Sequence, residues 1–390
     1  MKPPKHILHI IVIAQFFCTS LWFAGNGVMG DLVTNFNLAS SALGHLTSAV
    51  QFGFISGTLL FAILTITDRF SPSKVFMISA LLGAVFNICI LWEANTLSTL
   101  LVFRYFTGFF LAGIYPVGMK IAADYFDKGL GKSLGFLVGA LVLGTALPHL
   151  LKGLNTLFSW TSVVLSTSAL ATLGGILMIR LVPDGPYRKS SQQVQLTAFL
   201  SVFKNPDFRA AAFGYFGHMW ELYTFWAFVP VMLQSYNAIH QNTDLPVSTL
   251  SFAIIAIGGL ACVLGGYLSQ SMGLKKTASF ALALSCVCCL VSPLFFTASS
   301  ELLFVGFLLF WGMVVIADSP LFSTLVAQRA TPEIKGTALT IVNCIGFSIT
   351  IISIQVIAAL ENVLPAHSAY MLLAIGPVLG LMALVKKRVI

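Results

Sequence analysis

The stretch FGYFGHMWELYTFWAFVP, from Phe213 to Pro230, is apolar and aromatic enough to form most of a membrane-spanning helix. It nevertheless carries His218 and Glu221 near its centre. If the helix begins near Arg209, Glu221 lies at a depth of roughly 18 Å by the α-helical rise, near the middle of a hydrocarbon layer about 30 Å thick. A carboxylate there costs several kcal/mol unless it is neutralised, paired or facing a wet cavity. Such a residue indicates a pathway for a solute or a proton.

The composition extends this interpretation to the whole chain. Of its 390 residues, 57% are hydrophobic and 9% are charged, whereas about a quarter are charged in soluble globular proteins. A soluble globular protein is therefore excluded, and the length accommodates about twelve spans of ~20 residues. No secretory signal peptide is expected, because the first apolar run continues to about Met29 and is too long for the apolar core of a signal.

Twelve apolar runs follow one another along the chain, at 8–29, 44–66, 74–92, 98–122, 134–156, 160–181, 210–234, 248–268, 278–297, 302–326, 338–360 and 367–385. Their lengths are typical of membrane helices. The predicted fold is an all-α membrane protein with twelve transmembrane helices in two pseudo-symmetric six-helix bundles. The N-terminal bundle covers 1–182, a cytoplasmic linker covers 183–209, and the C-terminal bundle covers 210–390.

The distribution of lysine and arginine predicts the orientation. With the N-terminus in the cytoplasm, eighteen of the 21 basic residues lie in cytoplasmic segments, as the positive-inside rule requires. Lys152 is the exception on the opposite side, and Arg104 and Lys120 lie within a span. Both termini are therefore expected in the cytoplasm.

The two halves also repeat. Pro116 and Pro320 are 204 residues apart, and the stretch 57–74 matches 259–276 at an offset of 202. Such landmarks indicate an internal duplication, and parallel repeats around a site near the membrane midplane are typical of secondary transporters.

Two segments carry a family resemblance. The loop after the second span holds Asp68, Arg69 and Lys74, and the fourth span holds Arg104 followed by Gly108. With the twelve spans and the duplication, the whole chain resembles the major facilitator superfamily (MFS). That family has an acidic–Arg–basic loop between spans two and three and an Arg-then-Gly pattern in span four. The usual first glycine of the loop and the glycine after its arginine are missing here.

The resemblance implies roles for these residues. Asp68, Arg69 and Lys74 are expected to form a gating loop that latches one access state, the alternative being an ordinary positive-inside loop. The matching arginine of the family has been connected with proton relay or substrate binding, so Arg104 is a candidate for the substrate cavity. The alternative for Arg104 is a structural cap on neighbouring carbonyls. Lys120 is expected to extend its ammonium to the membrane surface.

Three ionisable residues are candidates for proton coupling. His218 and Glu221 are three positions apart and share a helix face, and Asp318 precedes Pro320 near mid-membrane in the tenth span. Burial in hydrocarbon disfavours the charged forms of a carboxyl and an imidazole, so these groups can exchange protons. The alternative for the first two is a His–Glu hydrogen bond that fastens helices.

A further group of side chains lies near the same depth and is predicted to line a substrate cavity with Arg104. Its aromatic and polar members are Trp22, Tyr115, Trp220, Tyr223, Trp226, Trp311, Gln15, Asn26, Gln51 and Asn343. The seven cysteines fall inside apolar runs without the spacing of a zinc site or a disulfide framework. The cluster Cys286, Cys288 and Cys289 is interpreted as small packing residues, and no metal or cofactor is expected.

The predicted function is secondary active transport of a small organic solute across the inner (cytoplasmic) membrane by alternating access, with proton coupling. The expected partners are the solute, protons and the lipid bilayer, with no nucleic acid, and the chain is expected to be a monomer and not an enzyme. A multidrug efflux antiporter is an alternative, weakened because span five lacks the Gly-Pro dipeptide of antiporters. A non-transporting sensor and a polytopic membrane enzyme are the alternatives from other classes, and no nucleophile–base or metal constellation supports the enzyme.

Overall fold

A computed structural model describes residues 6–39, 41–126, 130–154, 159–188, 202–241, 243–331, 334–361 and 363–385. All regular structure within these ranges is helical. Much of the predicted linker 183–209 lies outside them, as do several of the basic residues used for the orientation, namely Lys2, Lys5, Lys128, Lys189, Lys386, Lys387 and Arg388.

The first half of the chain contains ten described α-helices. They are α1 (His6–Thr19), α2 (Ala24–Gly27), α3 (Met29–Asn35), α4 (Ala42–Ile63), α5 (Ile66–Arg69), α6 (Pro72–Ile88), α7 (Leu97–Leu111), α8 (Tyr115–Tyr125), α9 (Leu130–Gly153) and α10 (Trp160–Leu181).

The second half contains eight. They are α11 (Pro206–Ile239), α12 (Val247–Met272), α13 (Leu274–Phe296), α14 (Glu301–Ala317), α15 (Ser319–Arg329), α16 (Lys335–Leu360), α17 (Ala366–Ala369) and α18 (Ile375–Val385).

Each predicted apolar run coincides with one helix or a series of helices. Among the described residues, nine segments are long and apolar enough to cross a membrane. Shorter apolar helices occupy His6–Thr19 and Tyr370–Val385, and α11 is 34 residues long. The chain is therefore a multi-pass membrane protein whose architecture agrees with the predicted twelve spans.

Local sequence signals explain where the helices begin and break. The Asn205 side chain accepts hydrogen bonds from the backbone N–H groups of Asp207 and Phe208, and Pro206 at the first position of α11 has no N–H to leave unsatisfied. Proline also marks two interruptions, because Pro116 lies at the start of α8 and Pro320 at the start of α15. These residues divide the fourth and tenth spans at matching positions of the repeat.

The chain divides into two compact units, Met1–Gln193 and Val194–Ile390. In the first, α4 packs on α7, and a Cβ at Gly108 would overlap the Val50 carbonyl oxygen. In the second, α12 packs on α14, and a Cβ at Gly312 would overlap the Ile254 carbonyl oxygen. Glycine allows such close helix contact in membranes. Both members of the second contact lie 204 residues after those of the first, so the duplication extends to the packing.

We expect Gly108→Ala and Gly312→Ala to destabilise the protein by about 1–3 kcal/mol each, since backbone atoms must move to admit the methyl group. Thermal unfolding of the purified protein in detergent measures the effect. Gly306→Ala on α14 is the matched control, because a Cβ there has no neighbour within 4 Å. Equal unfolding temperatures for all three variants would contradict the packing described.

The end of α16 carries a partly buried carboxyl group. The Tyr370 hydroxyl donates a hydrogen bond to Glu361 Oε1 at 2.9 Å, and the Tyr370 ring packs against Phe296 and Phe228. Burial raises the pKa of Glu361 to about 7, and the hydrogen bond from Tyr370 lowers it by less.

This pKa makes stability depend on pH. Between the ordinary glutamate value of 4.5 and about 7, the folded protein binds more protons at Glu361 than the unfolded chain does. The free energy of unfolding therefore falls as the pH rises through this range. We expect Glu361→Gln to reduce the drop in unfolding temperature between pH ~5 and pH ~8. The exposed Glu93→Gln serves as the control, and an unchanged drop in the Glu361 variant would show that another group is responsible.

Candidate functional site

Glu221 occupies the middle of α11 and is 1% exposed. Its Oε1 accepts hydrogen bonds from Trp311 Nε1 at 2.7 Å, Cys289 Sγ at 3.2 Å and Ser285 Oγ at 2.5 Å. The donors come from α13 and α14, which pack beside α11. All three are uncharged groups, so Glu221 is held by hydrogen bonds rather than by an ion pair with lysine or arginine.

A second ionisable pair lies one turn earlier on α11. His218 Nδ1 is 2.8 Å from Asp318 Oδ1, and both side chains are buried. Asp318 stands at the break between α14 and α15. Among the described residues, the two imidazole nitrogens and the two carboxyl oxygens find no partner with hydrogen-bond geometry. The 2.8 Å separation nevertheless brings the imidazole and the carboxyl group close enough to share a proton.

One alternative from the sequence was a hydrogen bond between His218 and Glu221. Neither ring nitrogen of His218 makes that bond in the structure. The two side chains turn to different helices, because His218 meets Asp318 and Glu221 meets the donors of α13 and α14. The rings of Tyr215 and Phe322 pack 6.0 and 6.4 Å from His218. Asn343 joins this neighbourhood by accepting a hydrogen bond from the Tyr215 hydroxyl at 3.0 Å.

The predicted aromatic residues of the second unit occupy three different environments. Trp311 touches Glu221 and packs on Phe225, with ring centroids 4.7 Å apart. Tyr223 and Trp226 pack on each other at 5.3 Å. Trp220 instead donates to the Leu372 carbonyl at 3.2 Å, so it fastens α11 to the last span.

Arg104 is the buried cation of the first unit. It is 1% exposed, and it donates to the carbonyl oxygens of Leu21 and Trp22 and, at 3.4 Å, to Asn87 Oδ1. Leu21 and Trp22 lie in the turn that separates α1 from α2, where helical hydrogen bonding is interrupted. This geometry matches the alternative in which Arg104 caps neighbouring carbonyls.

The remaining candidates of the first unit surround the same break. The Trp22 ring packs on Phe54 at 4.7 Å and meets Tyr115 edge-on at 6.5 Å. Asn26 Nδ2 donates to Thr47 Oγ1 at 2.8 Å. Gln15 and Gln51 are fully buried on α1 and α4. Five of the side chains predicted for a substrate cavity therefore lie around the interrupted first span.

The loop after the second span is tied to its own unit. Asp68 Oδ1 lies 3.0 Å from Nζ of Lys120, in the middle of α8, so the lysine predicted to reach the surface also forms an ion pair. Arg188, after α10, donates to the backbone oxygens of Asp68 and Phe70 at 3.1 and 2.9 Å. The other two residues of the predicted gating loop, Arg69 and Lys74, are exposed.

Of the partners that hold the buried charges, the sequence singled out Trp311 as a cavity residue, whereas Ser285, Cys289 and Asn87 were not assigned to the site. Ser285 and Cys289 are four positions apart on α13, which places both on one helix face, and this spacing was the available signal. Asn87, which accepts from Arg104, and Cys289, which donates to Glu221, are 202 residues apart. Matching positions of the repeat therefore contact a buried cation in the first unit and a buried acid in the second.

We expect Arg104→Leu to destabilise the protein by about 2–3 kcal/mol, because the carbonyls of Leu21 and Trp22 lose their buried donor. Thermal unfolding in detergent measures the loss, with the exposed Arg180→Leu as the control. If the two substitutions have equal effects, the guanidinium does not stabilise the break in the first span.

Comparisons with known proteins identify a family and relatives with similar sequences. A model of the Major Facilitator Superfamily matches residues 11–354. The uncharacterized transporter YgaY of Escherichia coli O157:H7 is 25% identical over 191 residues, which are 47% of each chain. The niacin transporter NiaP of Acinetobacter baylyi is 28% identical over 201 residues, covering 45% of this chain and 43% of its own. The chain thus matches about half the length of these relatives.

Two solved structures share the fold. A bacterial homologue of the human lysosomal transporter Spinster, inward-facing and unoccupied, aligns with 99% of this chain and 96% of its own at a TM-score of 0.71 and 14% identity. A mutant of the nucleoside transporter NupG aligns with 97% of this chain and 100% of its own at a TM-score of 0.75 and 14% identity. The sequence match covers most of the chain, and the protein therefore belongs to the major facilitator superfamily of membrane transporters.

Proposed function

We propose that this protein is a secondary active transporter that moves a small organic solute by alternating access and couples the movement to protons through Glu221. The observation that carries the proposal is the environment of Glu221. A buried carboxyl group in a membrane-spanning helix is costly, and here it is held by a hydroxyl, a thiol and an indole rather than by a cation.

This environment suits a group that gains and loses a proton. Since no lysine or arginine in the described part of the chain forms an ion pair with the carboxylate, protonation there requires no separation of opposite charges. The three hydrogen bonds favour the charged form, whereas burial opposes it. A helix movement that removes one donor therefore changes the balance between the two forms and links protonation to conformation.

His218 and Asp318 provide a second place for a proton one turn away along α11. A proton between His218 Nδ1 and Asp318 Oδ1 forms an imidazolium–carboxylate pair, and its departure leaves a neutral imidazole beside a carboxylate. Movement of α15 relative to α11 would open this 2.8 Å contact. The pair then serves as a proton relay. Whether it holds a proton depends on the position of Asp318 at the break between α14 and α15.

The solute is proposed to be a small organic molecule, in keeping with the niacin and nucleoside transporters among the similar proteins. The concentration of lysine and arginine on one side of the predicted spans supports an orientation with both termini in the cytoplasm. Residence in the inner membrane is part of the same proposal.

The test is proton movement in proteoliposomes after addition of niacin or a mixture of nucleosides. We expect solute-dependent proton movement with the wild type and a loss of at least about tenfold in Glu221→Gln, since glutamine preserves the shape but has no titratable proton. Glu301→Gln, at the exposed start of α14, is the control and should retain the wild-type rate.

Undiminished proton movement in Glu221→Gln would contradict the assigned role of Glu221. Exchange of radiolabelled niacin or nucleoside without any proton movement in the wild type would contradict proton coupling and leave facilitated transport. The same pair of measurements on Asp318→Asn shows whether coupling belongs to the neighbouring pair instead.

A further inference from the structure

We propose that the first unit contains a recognition site for a planar, uncharged group with adjacent hydrogen-bond donor and acceptor atoms, such as a carboxamide-bearing heteroaromatic ring or a nucleobase. The site is the strip formed by Gln15, Trp22, Gln51, Phe54 and Tyr115, called here the glutamine–tryptophan strip. The proposal rests on the transport function above for the identity of its occupant as the solute, but binding can be measured without transport.

The strip is continuous through known contacts. Trp22, at the break after α1, packs on Phe54 of α4 and meets Tyr115 of α8 edge-on. Gln51 lies one turn before Phe54 on the same helix face. That face is turned toward the first span. Thr47, one turn before Gln51, accepts a hydrogen bond from Asn26, and Phe54, one turn after it, contacts Trp22.

Gln15 extends the strip along α8. A Cβ at Gly118 would overlap Gln15 Oε1, so the amide of Gln15 lies directly on this glycine. Gly118 is three positions after Tyr115 and therefore on the same face of α8. The tyrosine that meets Trp22 thus lies next to the helix surface that carries the Gln15 amide.

The two glutamines are the reason to infer a ligand. Both side chains are 0% exposed, and neither the amide oxygen nor the amide nitrogen of either has a hydrogen-bond partner among the described residues. Buried polar groups are normally bonded, and their desolvation is unfavourable when they are not. A leucine at these positions would fill similar space without this penalty, so the amides are explained by a partner that supplies complementary atoms.

The chemistry of the strip indicates the class of partner. Each glutamine presents a donor and an acceptor side by side, which matches a carboxamide or the edge of a nucleobase. The rings of Trp22 and Tyr115, which meet edge-on at 6.5 Å, make the rest of the strip aromatic, and aromatic rings favour contact with another flat ring. The nearby charge of Arg104 is engaged by the carbonyls of Leu21 and Trp22 and by Asn87, so the strip itself does not select for an anion.

The experiment measures binding of nicotinamide, uridine and niacin to the purified full chain in detergent by calorimetry, with ethylbenzene as an apolar ring control. We expect nicotinamide or uridine to bind, and Gln15→Leu and Gln51→Leu each to weaken binding by about tenfold or more, the equivalent of one lost hydrogen bond. Without ligand, both variants should unfold at the wild-type temperature or above it, because an unsatisfied buried amide has been removed.

A second variant tests the geometry without removing an amide. Gly118→Ala should push the Gln15 amide aside and weaken binding, whereas Gly139→Ala, where a Cβ has no neighbour within 4 Å, should not. Lower unfolding temperatures in both glutamine variants without ligand would show that the amides have structural partners and would overturn the proposal. Unchanged affinity in those variants, stronger binding of ethylbenzene, or no binding of any planar probe by the wild type would overturn it as well.

Failure of this site and failure of proton coupling give different results. If the glutamine variants lose binding while Glu221→Gln leaves proton movement intact, the strip stands and the role of Glu221 fails. If the glutamine variants bind normally and proton movement depends on Glu221, the coupling stands and the strip is wrong.

Discussion

The hydrocarbon around a membrane helix offers no hydrogen-bond partners, so polar groups within a span are satisfied by the protein itself or by a bound molecule. Helices satisfy the backbone, and the interruption between α1 and α2 is satisfied by the guanidinium of Arg104. The buried polar side chains differ in the partners that they find. Arg104 donates to backbone carbonyls and to Asn87, Glu221 accepts hydrogen bonds from neutral donors, and the amides of Gln15 and Gln51 lack partners among the described residues.

The two halves share helix contacts at matching positions but bury side chains of opposite charge, Arg104 in the first and Glu221 in the second. Glycine-mediated contacts recur at an offset of 204 residues, at Gly108 with Val50 and at Gly312 with Ile254. In the first unit a buried cation is bound to the carbonyls of the interrupted span, whereas in the second unit a buried carboxyl group accepts hydrogen bonds from neutral donors.

The architecture could be predicted from the sequence because long apolar runs, basic loops and a repeat offset are properties of the chain itself. The position of Glu221 within a long apolar helix followed from the same features. Partners could not be predicted, since they depend on the rotation of each helix about its axis. His218 therefore found Asp318 rather than Glu221, and the three donors to Glu221 came from helices whose facing sides the composition did not reveal.

Proton coupling through Glu221 requires that this carboxyl group gain and lose a proton during the transport cycle. The most direct measurement is the infrared difference spectrum of the membrane-reconstituted protein on addition of a transported probe, niacin or a nucleoside. The account predicts a change in the carboxylic C=O stretching band that shifts in heavy water and is missing in Glu221→Gln. Identical carboxyl difference bands in the wild type and in Glu221→Gln would contradict it.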